Sequence, residues 1–363
     1  MLRDKLIQVV TRIPATHYLT VLLFGVFVAH GKTFKLRMAV GQFASVEAPT
    51  RVPPNWFSDA GLLHSQHCAI GVFVIAAAPD QSHLLGAKVL GANGKALDAL
   101  LAALQPYVGG PANLAKELAP NFLISPELLH AAGLAEMAGS SRYDMRLADD
   151  GALIVELAAR PPTQGPLNTI SWPARDLSPI AKAGQPAGWR HVLDGMPPAY
   201  LSQPDRNYWH SYPRPDLLYV QINRVVDQPP IALSQYLSDV LVEAAEKPVR
   251  NAIVDLRFNI GGNYMLSADF ARRLPDLLPS TGQLFILTTA NTFSAGISTA
   301  AWLKYYGGAR VTIVGENIGD RMQFWAEGGV ATLPNSKLAI QYTTGFTIGT
   351  MAAACRRSRR AFS

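Results

Sequence analysis

Apolar residues along this chain change rhythm several times, and each rhythm predicts an element. Val72–Ala76 and Leu84–Leu90 are short apolar runs that read as strands, closed by the turn residues Gly91-Ala-Asn-Gly94. Over Ala96–Leu104 the spacing shifts to Leu97, Leu100, Leu101 and Leu104, one face of a helix. A helical pattern continues over 111–135. Arg142–Leu147 and Ala152–Ala158 predict a hairpin about Asp149-Asp150-Gly151. Residues 45–56 read as a loop, and prolines then crowd 160–205, which predicts a long surface connection and a domain boundary.

The last third is the most regular. Strands are predicted over Leu217–Val225, Ala252–Phe258, Gln283–Thr289 and Arg310–Gly315. Helices are predicted between them over Ile231–Glu246, Leu266–Leu278 and Ser294–Tyr306, the last closed by Gly307-Gly308. Strands alternating with helices at this spacing predict βαβ units and a parallel sheet, so the fold class is α/β.

The N-terminal region carries one more apolar run, Tyr18–Ala29, after the basic residues up to Arg12. It fits either the apolar stretch of a secretory signal, with Ala29-His30-Gly31 as cleavage site, or a buried helix of the folded domain. The first reading places the protein outside the cytoplasm and the second leaves it inside, so the compartment stays open. The run is shorter than the roughly 20 residues that span a bilayer, and no membrane association is expected.

Charge changes the picture once it is located. The 363 residues are formally +6, with a sequence pI of about 9.3. Residues 1–40 hold six basic residues against one acidic, and the last eight hold four arginines and no acid. The remaining body has 22 basic and 25 acidic residues. A nucleic-acid-binding domain would carry its basic stripe on the folded body, so no nucleic-acid partner is expected. At 49% hydrophobic and 16% charged, the chain has the material for a sizeable core. Two cysteines, Cys68 and Cys355, are too few for a disulfide framework or a four-thiolate zinc site. No metal or cofactor is expected.

In a parallel sheet with right-handed crossovers, the C-terminal strand ends share one edge. Asn259-Ile-Gly-Gly-Asn263 follows one strand, and Ala290-Asn-Thr-Phe-Ser-Ala295 follows the next. The two loops are therefore expected to face each other across one cleft. Gly261 and Gly262 leave backbone N–H groups open to a ligand. Ser294 opens a helix, where unpaired N–H groups favour negative charge. A serine beside two sets of backbone donors suits acyl transfer through an oxyanion hole. The plain alternative is an N-cap serine and a simple turn.

Ala252-Ile-Val-Asp-Leu-Arg-Phe-Asn-Ile-Gly-Gly262 resembles the Asp-Leu-Arg-x-Asn-x-Gly-Gly motif of the tail-specific (C-terminal processing) serine peptidases, peptidase family S41. Thr292-Phe-Ser-Ala-Gly296 resembles their nucleophile loop, and Val314-Gly-Glu316 the Gly-Glu motif that follows. Asn207-Tyr-Trp209 and Leu333-Pro-Asn-Ser336 are similar to a bacterial branch with a tricorn-like core. The resemblance is clear over about 205–345, and a fainter one over 70–105 is to a degenerate PDZ-like segment. It implies a crotonase/ClpP-like βαβ core and hydrolysis of peptide or unfolded-protein substrates. Ser294 would be the nucleophile, and backbone N–H groups of Gly261 or Gly262 and of Ala295 the oxyanion hole. The implied organisation is an N-terminal helical or signal-like segment (1–60), a PDZ-like β-rich module (61–110), a helical and proline-rich connection (111–205), a peptidase-like core (206–350) and a basic tail (351–363). The tail reads either as a truncated or frame-shifted end or as a basic appendage.

The departure from the family is the general base. The processing peptidases take a lysine just after Gly-Glu, where Gly315-Glu-Asn-Ile-Gly-Asp-Arg321 places an arginine, which stays protonated. Three replacements remain. His30 or Lys32 corresponds to the histidine motif of the tricorn-like branch, and His210 lies just before the core. Glu316 would orient a histidine. The predicted function is a serine-type peptidase. The alternative is a catalytically impaired relative that binds peptide or apolar ligand in the same cleft. An acyl-CoA enzyme of crotonase type lacks a phosphate-binding loop in this sequence. The oligomeric state is not legible.

Overall fold

A computed structural model describes residues 25–30, 33–38, 43–46, 63–68, 71–108, 110–158, 177–180, 188–193, 197–332 and 339–348. The chain divides into two compact units. One comprises the described residues of Met1–Ser171, Ala181–Gly195 and Trp325–Gly345, and the other those of Trp172–Ile180, Met196–Phe324 and Phe346–Ser363.

In the first unit, β1 (Gly25–His30), β2 (Thr33–Met38) and β3 (Phe43–Val46) form an antiparallel sheet in which His30 pairs with Thr33. The helical reading of this N-terminal segment is therefore corrected where the residues are described. Val26, Phe27, Val28 and Phe34 are β-branched or aromatic and suit a pleated ladder better than a helix. A second sheet is built from β4 (Leu63–Cys68), β5 (Gly71–Ala77), β6 (Lys88–Ala92), β7 (Lys95–Ala96), β8 (Ser140–Arg146), β9 (Ala152–Ala158) and β10 (Arg190–His191), ordered β10-β5-β6-β8-β9 with β4 on β5 and β7 on β6. The predicted hairpin is present as β8–β9, with Asp150 at φ 66° in its turn.

Two predicted elements shift. The strand expected from Leu84 begins only at Lys88, because Pro79 starts a 3₁₀ turn over Pro79–Leu84 that buries Leu84. The helical stretch 111–135 is two helices, α2 (Ala112–Leu123) and α3 (Pro126–Ala131), after α1 (Leu97–Val108). Ser125 accepts the Leu128 N–H and Pro126 takes the first helical position, a stop and restart that the apolar rhythm alone does not reveal. Val72, Val74, Val89, Tyr143 and Met145 of the sheet pack with Leu100, Leu104, Phe122 and Leu129 of the helices.

The second unit holds β11 (Tyr208–Arg214), β12 (Leu217–Ile222), α4 (Leu233–Ala245), β13 (Asn251–Asp255), α5 (Met265–Leu277), β14 (Leu284–Thr288), α6 (Ala295–Gly307) and β15 (Val311–Gly315). Its sheet runs in the order β11-β12-β13-β14-β15. Strands β12 to β15 are parallel as expected, and β11 joins them antiparallel through a hairpin. Later in the chain, β16 (Gln323–Thr332) pairs with β17 (Ala339–Ile348), with most of both strands in the first unit. Leu333–Ser336, the stretch similar to the bacterial branch, lies outside the described residues.

Strand order follows chain order from β12 to β15, so right-handed crossovers put α4, α5 and α6 on one face. Leu218, Val220, Ile222, Ala252, Val254, Leu284 and Ile286 point to that face. They pack with Leu233, Leu237, Val240 and Leu241 of α4, Phe270, Ala271 and Leu274 of α5, and Ala300 and Leu303 of α6. The buried positions of α4 recur every three or four residues, so a single stripe faces the sheet. The Asp227 carboxylate accepts the Leu233 N–H at 2.9 Å and caps the helix start. On the other face Asp255 is buried and paired with Arg257 at 2.6 Å, and Arg257 lies 4.1 Å from the Tyr200 ring. The Tyr219 hydroxyl contacts Asp255 Oδ2 and Gln221 Oε1, each at 2.7 Å. Burial first, and then the Asp255 charge, hold the Tyr219 phenol far above its ordinary pKa.

Leu274 is fully buried between α5 and the sheet. Leu274→Ala is expected to lower the stability of the second unit by about 2–5 kcal/mol in urea denaturation, with little change in the slope of the transition.

Candidate active site

The site grows from the loops that leave β13 and β14 at the C-terminal edge of the sheet. After β13, Asn259 turns its side chain inward and is fully buried. Its Nδ2 donates to Ile222 O at 2.9 Å, and its Oδ1 accepts the Gly261 N–H at 3.0 Å. Its carbonyl accepts the Phe293 N–H at 2.8 Å, which brings the second loop against the first. Val225 N–H donates to Gly261 O, and Asn263 N–H donates to Val225 O, each at 2.8 Å. Gly262 thus bridges Val225, and its own N–H points away from that partner.

After β14, Thr292 ties the second loop down. Its hydroxyl donates to Leu256 O at 2.8 Å and accepts the Thr289 N–H at 3.0 Å. The chain then reaches Ser294 at φ 49° and ψ −116°, outside the regions open to ordinary L-residues. Gly296 N–H closes on Phe293 O at 2.9 Å, and α6 begins. A serine held in this conformation between a strand and a helix projects its hydroxyl out of the turn, the geometry of a nucleophile elbow. Ser294 makes no side-chain cap hydrogen bond, so the simple N-cap reading does not describe it.

Gly261, at φ 110°, lies directly against this serine. A Cβ on Gly261 would sit 2.7 Å from Ser294 Cβ, 3.2 Å from Ser294 Oγ and 3.5 Å from Ala295 N. Gly262, at φ 134°, passes so close to Val225 that a Cβ would sit 2.1 Å from its carbonyl oxygen. Both positions therefore require glycine. Of the residues expected to meet, Gly261 lies against Ser294 and Ala295, while Gly262 packs against Val225. Among the described residues the Ala295 and Gly262 N–H groups make no hydrogen bond, whereas the Gly261 N–H is taken by Asn259.

The residues considered as base or orienter are distributed differently. His30 ends β1 in the first unit, and Lys32 lies outside the described residues. His210 sits in the middle of β11 opposite Val220. Its Nδ1 meets the Tyr236 hydroxyl at 2.6 Å and its Nε2 meets Glu243 Oε2 at 3.1 Å, both on α4. With both ring nitrogens engaged, and two strands between β11 and β14, which leads into the Ser294 loop, His210 joins the edge strand to a helix and does not reach the serine. Lys247 also binds Glu243, at 3.2 Å.

Glu316 is brought to the Ser294 loop by its main chain. Its N–H donates to Thr288 O at 3.0 Å and its O accepts from the Thr288 hydroxyl at 2.8 Å, while the residue itself is exposed. Gly319 N–H then donates to Thr292 O at 3.0 Å. Asp320, which the sequence reading did not single out, follows on this pinned segment. Burial raises its carboxyl pKa, opposed by the Arg321 N–H and charge. Among the described residues Ser294 Oγ has no hydrogen-bond partner, and no cluster of three or more His, Cys, Asp or Glu could hold a metal. No described helix is long and apolar enough to cross a membrane.

Two outcomes follow from this geometry. Ser294→Gly is expected to raise stability by about 1 kcal/mol in urea denaturation, because glycine relaxes the backbone strain, and Ser294→Ala is not. Glu243 is held below its ordinary carboxyl pKa: burial opposes this, but hydrogen bonds from Lys247 and His210 outweigh it. A carboxylate with a lowered folded-state pKa adds stability above its ordinary value of 4.5, lost as pH falls through the folded value. Wild type is expected to exceed Glu243→Gln by about 0.5 kcal/mol at pH 7, in thermal or urea melts, and by less at pH 3.

No protein-family model matches the chain, and no curated protein matches it. Solved structures do. Mature CPAF is 11% identical with a TM-score of 0.48, over 79% of this chain and 75% of that one. The photosystem II D1 C-terminal processing protease is 15% identical with a TM-score of 0.31, over 80% and 69%. A lipoprotein from Streptococcus agalactiae is 18% identical with a TM-score of 0.28, over 38% of this chain. The chain spans 57% of that lipoprotein's length.

Proposed function

We propose that this chain is a serine-type peptidase that cleaves exposed peptide segments by acyl transfer, with Ser294 as the nucleophile on a crotonase-like core. The carrying observation is the Ser294 backbone, at φ 49° and ψ −116° on a strand-to-helix turn, with a hydroxyl engaged in no cap. A conformation that costs about 1–3 kcal/mol persists only where the surrounding structure holds it, and it aims Oγ out of the turn. Ala295 and Gly262 supply N–H groups for the oxyanion of a tetrahedral intermediate, and Gly261, with its N–H given to Asn259, provides the clearance. In this reading Ser294 Oγ attacks the scissile carbonyl carbon and its proton passes to a base. The leaving amine takes a proton, and water then hydrolyses the acyl-enzyme.

His210 is left out as base, because Tyr236 and Glu243 occupy both its nitrogens. His30 and Lys32 of the first unit remain proposals for that role, and Glu316 one for orienting the base. The second reading, a relative that binds peptide in the same cleft without turnover, is favoured by the absence of a hydrogen-bonded base at Ser294 among the described residues.

A fluorophosphonate probe and hydrolysis of an unstructured peptide separate the two readings. The peptidase reading expects stoichiometric labelling by intact mass, lost in Ser294→Ala, and peptide turnover reduced at least about 1,000-fold in the same variant. Labelling that survives Ser294→Ala overturns the assignment. Peptide binding without turnover or labelling selects the second reading.

A further inference from the structure

β15 is the last strand of its sheet, paired with β14 alone among the described residues. Two contacts fix which way its main chain faces. Glu316 N–H reaches Thr288 O of β14, while Lys304 Nζ reaches Val311 O at 2.6 Å. Main-chain groups alternate along a strand, so Thr312 and Val314 face β14, and Val311, Ile313 and Gly315 face the open edge. Lys304 covers the Val311 carbonyl. Among the described residues, the outward groups of Ile313 and Gly315 meet no partner.

This edge lacks the usual protections. Its sequence, Val-Thr-Ile-Val-Gly, has no charge and no proline, and its register with β14 runs without a bulge. Ile313 is 50% exposed and Val314 44%. Such an edge is a template for another extended chain, and proteins normally blunt it. It also leads directly to the candidate site. Glu316, the next residue, bonds Thr288, and Gly319 bonds Thr292, two residues before Ser294.

We propose that an extended polypeptide, the substrate of the Ser294 site, binds by adding a strand to the outward main-chain groups of Ile313 and Gly315. This rests on the acyl-transfer reading of Ser294. A strand added beside β15 lies two strand spacings from β14, about 10 Å, or about three extended residues. The bound stretch and the cleaved bond are then separate parts of one segment. Main-chain pairing is indifferent to sequence, and exposed Ile313 and Val314 favour apolar side chains beside them. The substrate is therefore an unfolded stretch rich in apolar residues, because a folded surface does not offer the free main-chain groups that the edge requires.

The test uses the full chain and a labelled decapeptide of alternating valine and serine, alongside a p-nitrophenyl ester too short to reach β15. Ile313→Pro removes the outward N–H and leaves the β14 ladder intact. The ratio of peptide KM to ester KM is expected to rise about tenfold in this variant. N-methylation of alternate peptide amides should raise the KM similarly on the wild-type chain, which covers the case of a variant that does not fold. An unchanged ratio with Ile313→Pro and an unchanged KM for the N-methylated peptide overturn the proposal, while Ser294-dependent ester turnover still supports the nucleophile. If nothing is turned over, the acyl-transfer reading fails. Fluorescence anisotropy of the same peptide on Ser294→Ala then decides the edge, and equal affinity with and without Ile313→Pro overturns it. A wild-type dimer in sedimentation that Ile313→Pro dissociates assigns the edge to a second copy and also overturns the proposal.

Discussion

The side chain of Asn259 holds three segments that are distant in sequence, and the candidate site depends on it. One amide donates to the end of β12, accepts from the glycine turn, and sits on a residue whose carbonyl receives the Ser294 loop. Because it is fully buried, each of these bonds forms where no water can replace it. Loss of the amide would leave the Gly261 N–H and the Ile222 carbonyl without partners inside the protein. No aliphatic residue of the same size could take its place, since none has both a donor and an acceptor to offer.

Around that brace the molecule maintains a local strain. Ser294 adopts a backbone conformation that L-residues avoid, and its loop is fixed by Thr292 bonds to Leu256 and Thr289 and by the first turn of α6. The helix that follows is buried on most sides, so its start cannot relax without moving the core. Gly261 permits the approach by lacking a side chain. Rigidity here fixes the Ser294 side chain against Gly261, and under the proposed acyl-transfer reading such fixed placement is the form electrostatic catalysis requires.

The sheet that carries the site is asymmetric at its edges. At β11, His210 is bonded to Tyr236 and Glu243, Lys247 lies over Tyr212, and the strand is tied to α4. At β15 the outward main chain is covered only at Val311, by Lys304. Side chains thus tie one edge strand to a helix, and the other edge offers main-chain groups next to the Ser294 loop. The same sheet carries an ion pair, buried Asp255 with partly exposed Arg257, on the face away from the helices. That pair stiffens the chain between β13 and the glycine turn.

Much of this was legible in the sequence. Val254, Leu284, Ile286 and their neighbours encode the parallel strands through apolar runs, and α4 through its buried stripe, because periodicity is a local property. The glycine turn and Ser294 could be placed on facing loops for the same reason, since parallel strands put their ends on one edge. What the sequence left open depends on which elements meet. Strand β11 went unread because Tyr208-Trp-His-Ser-Tyr-Pro mixes buried aromatics with polar residues. The imidazole of His210 suited a base as well as a structural link until α4, 26 and 33 residues away at its two contacts, occupied both nitrogens. Gly261 and Gly262 looked equivalent until Asn259 took the N–H of one. Local spacing determined the strands and helices of the parallel core and put the glycine turn and Ser294 on facing loops. Hydrogen-bond partners were decided by tertiary structure alone, because each polar atom bonds whatever the fold brings within about 3 Å of it.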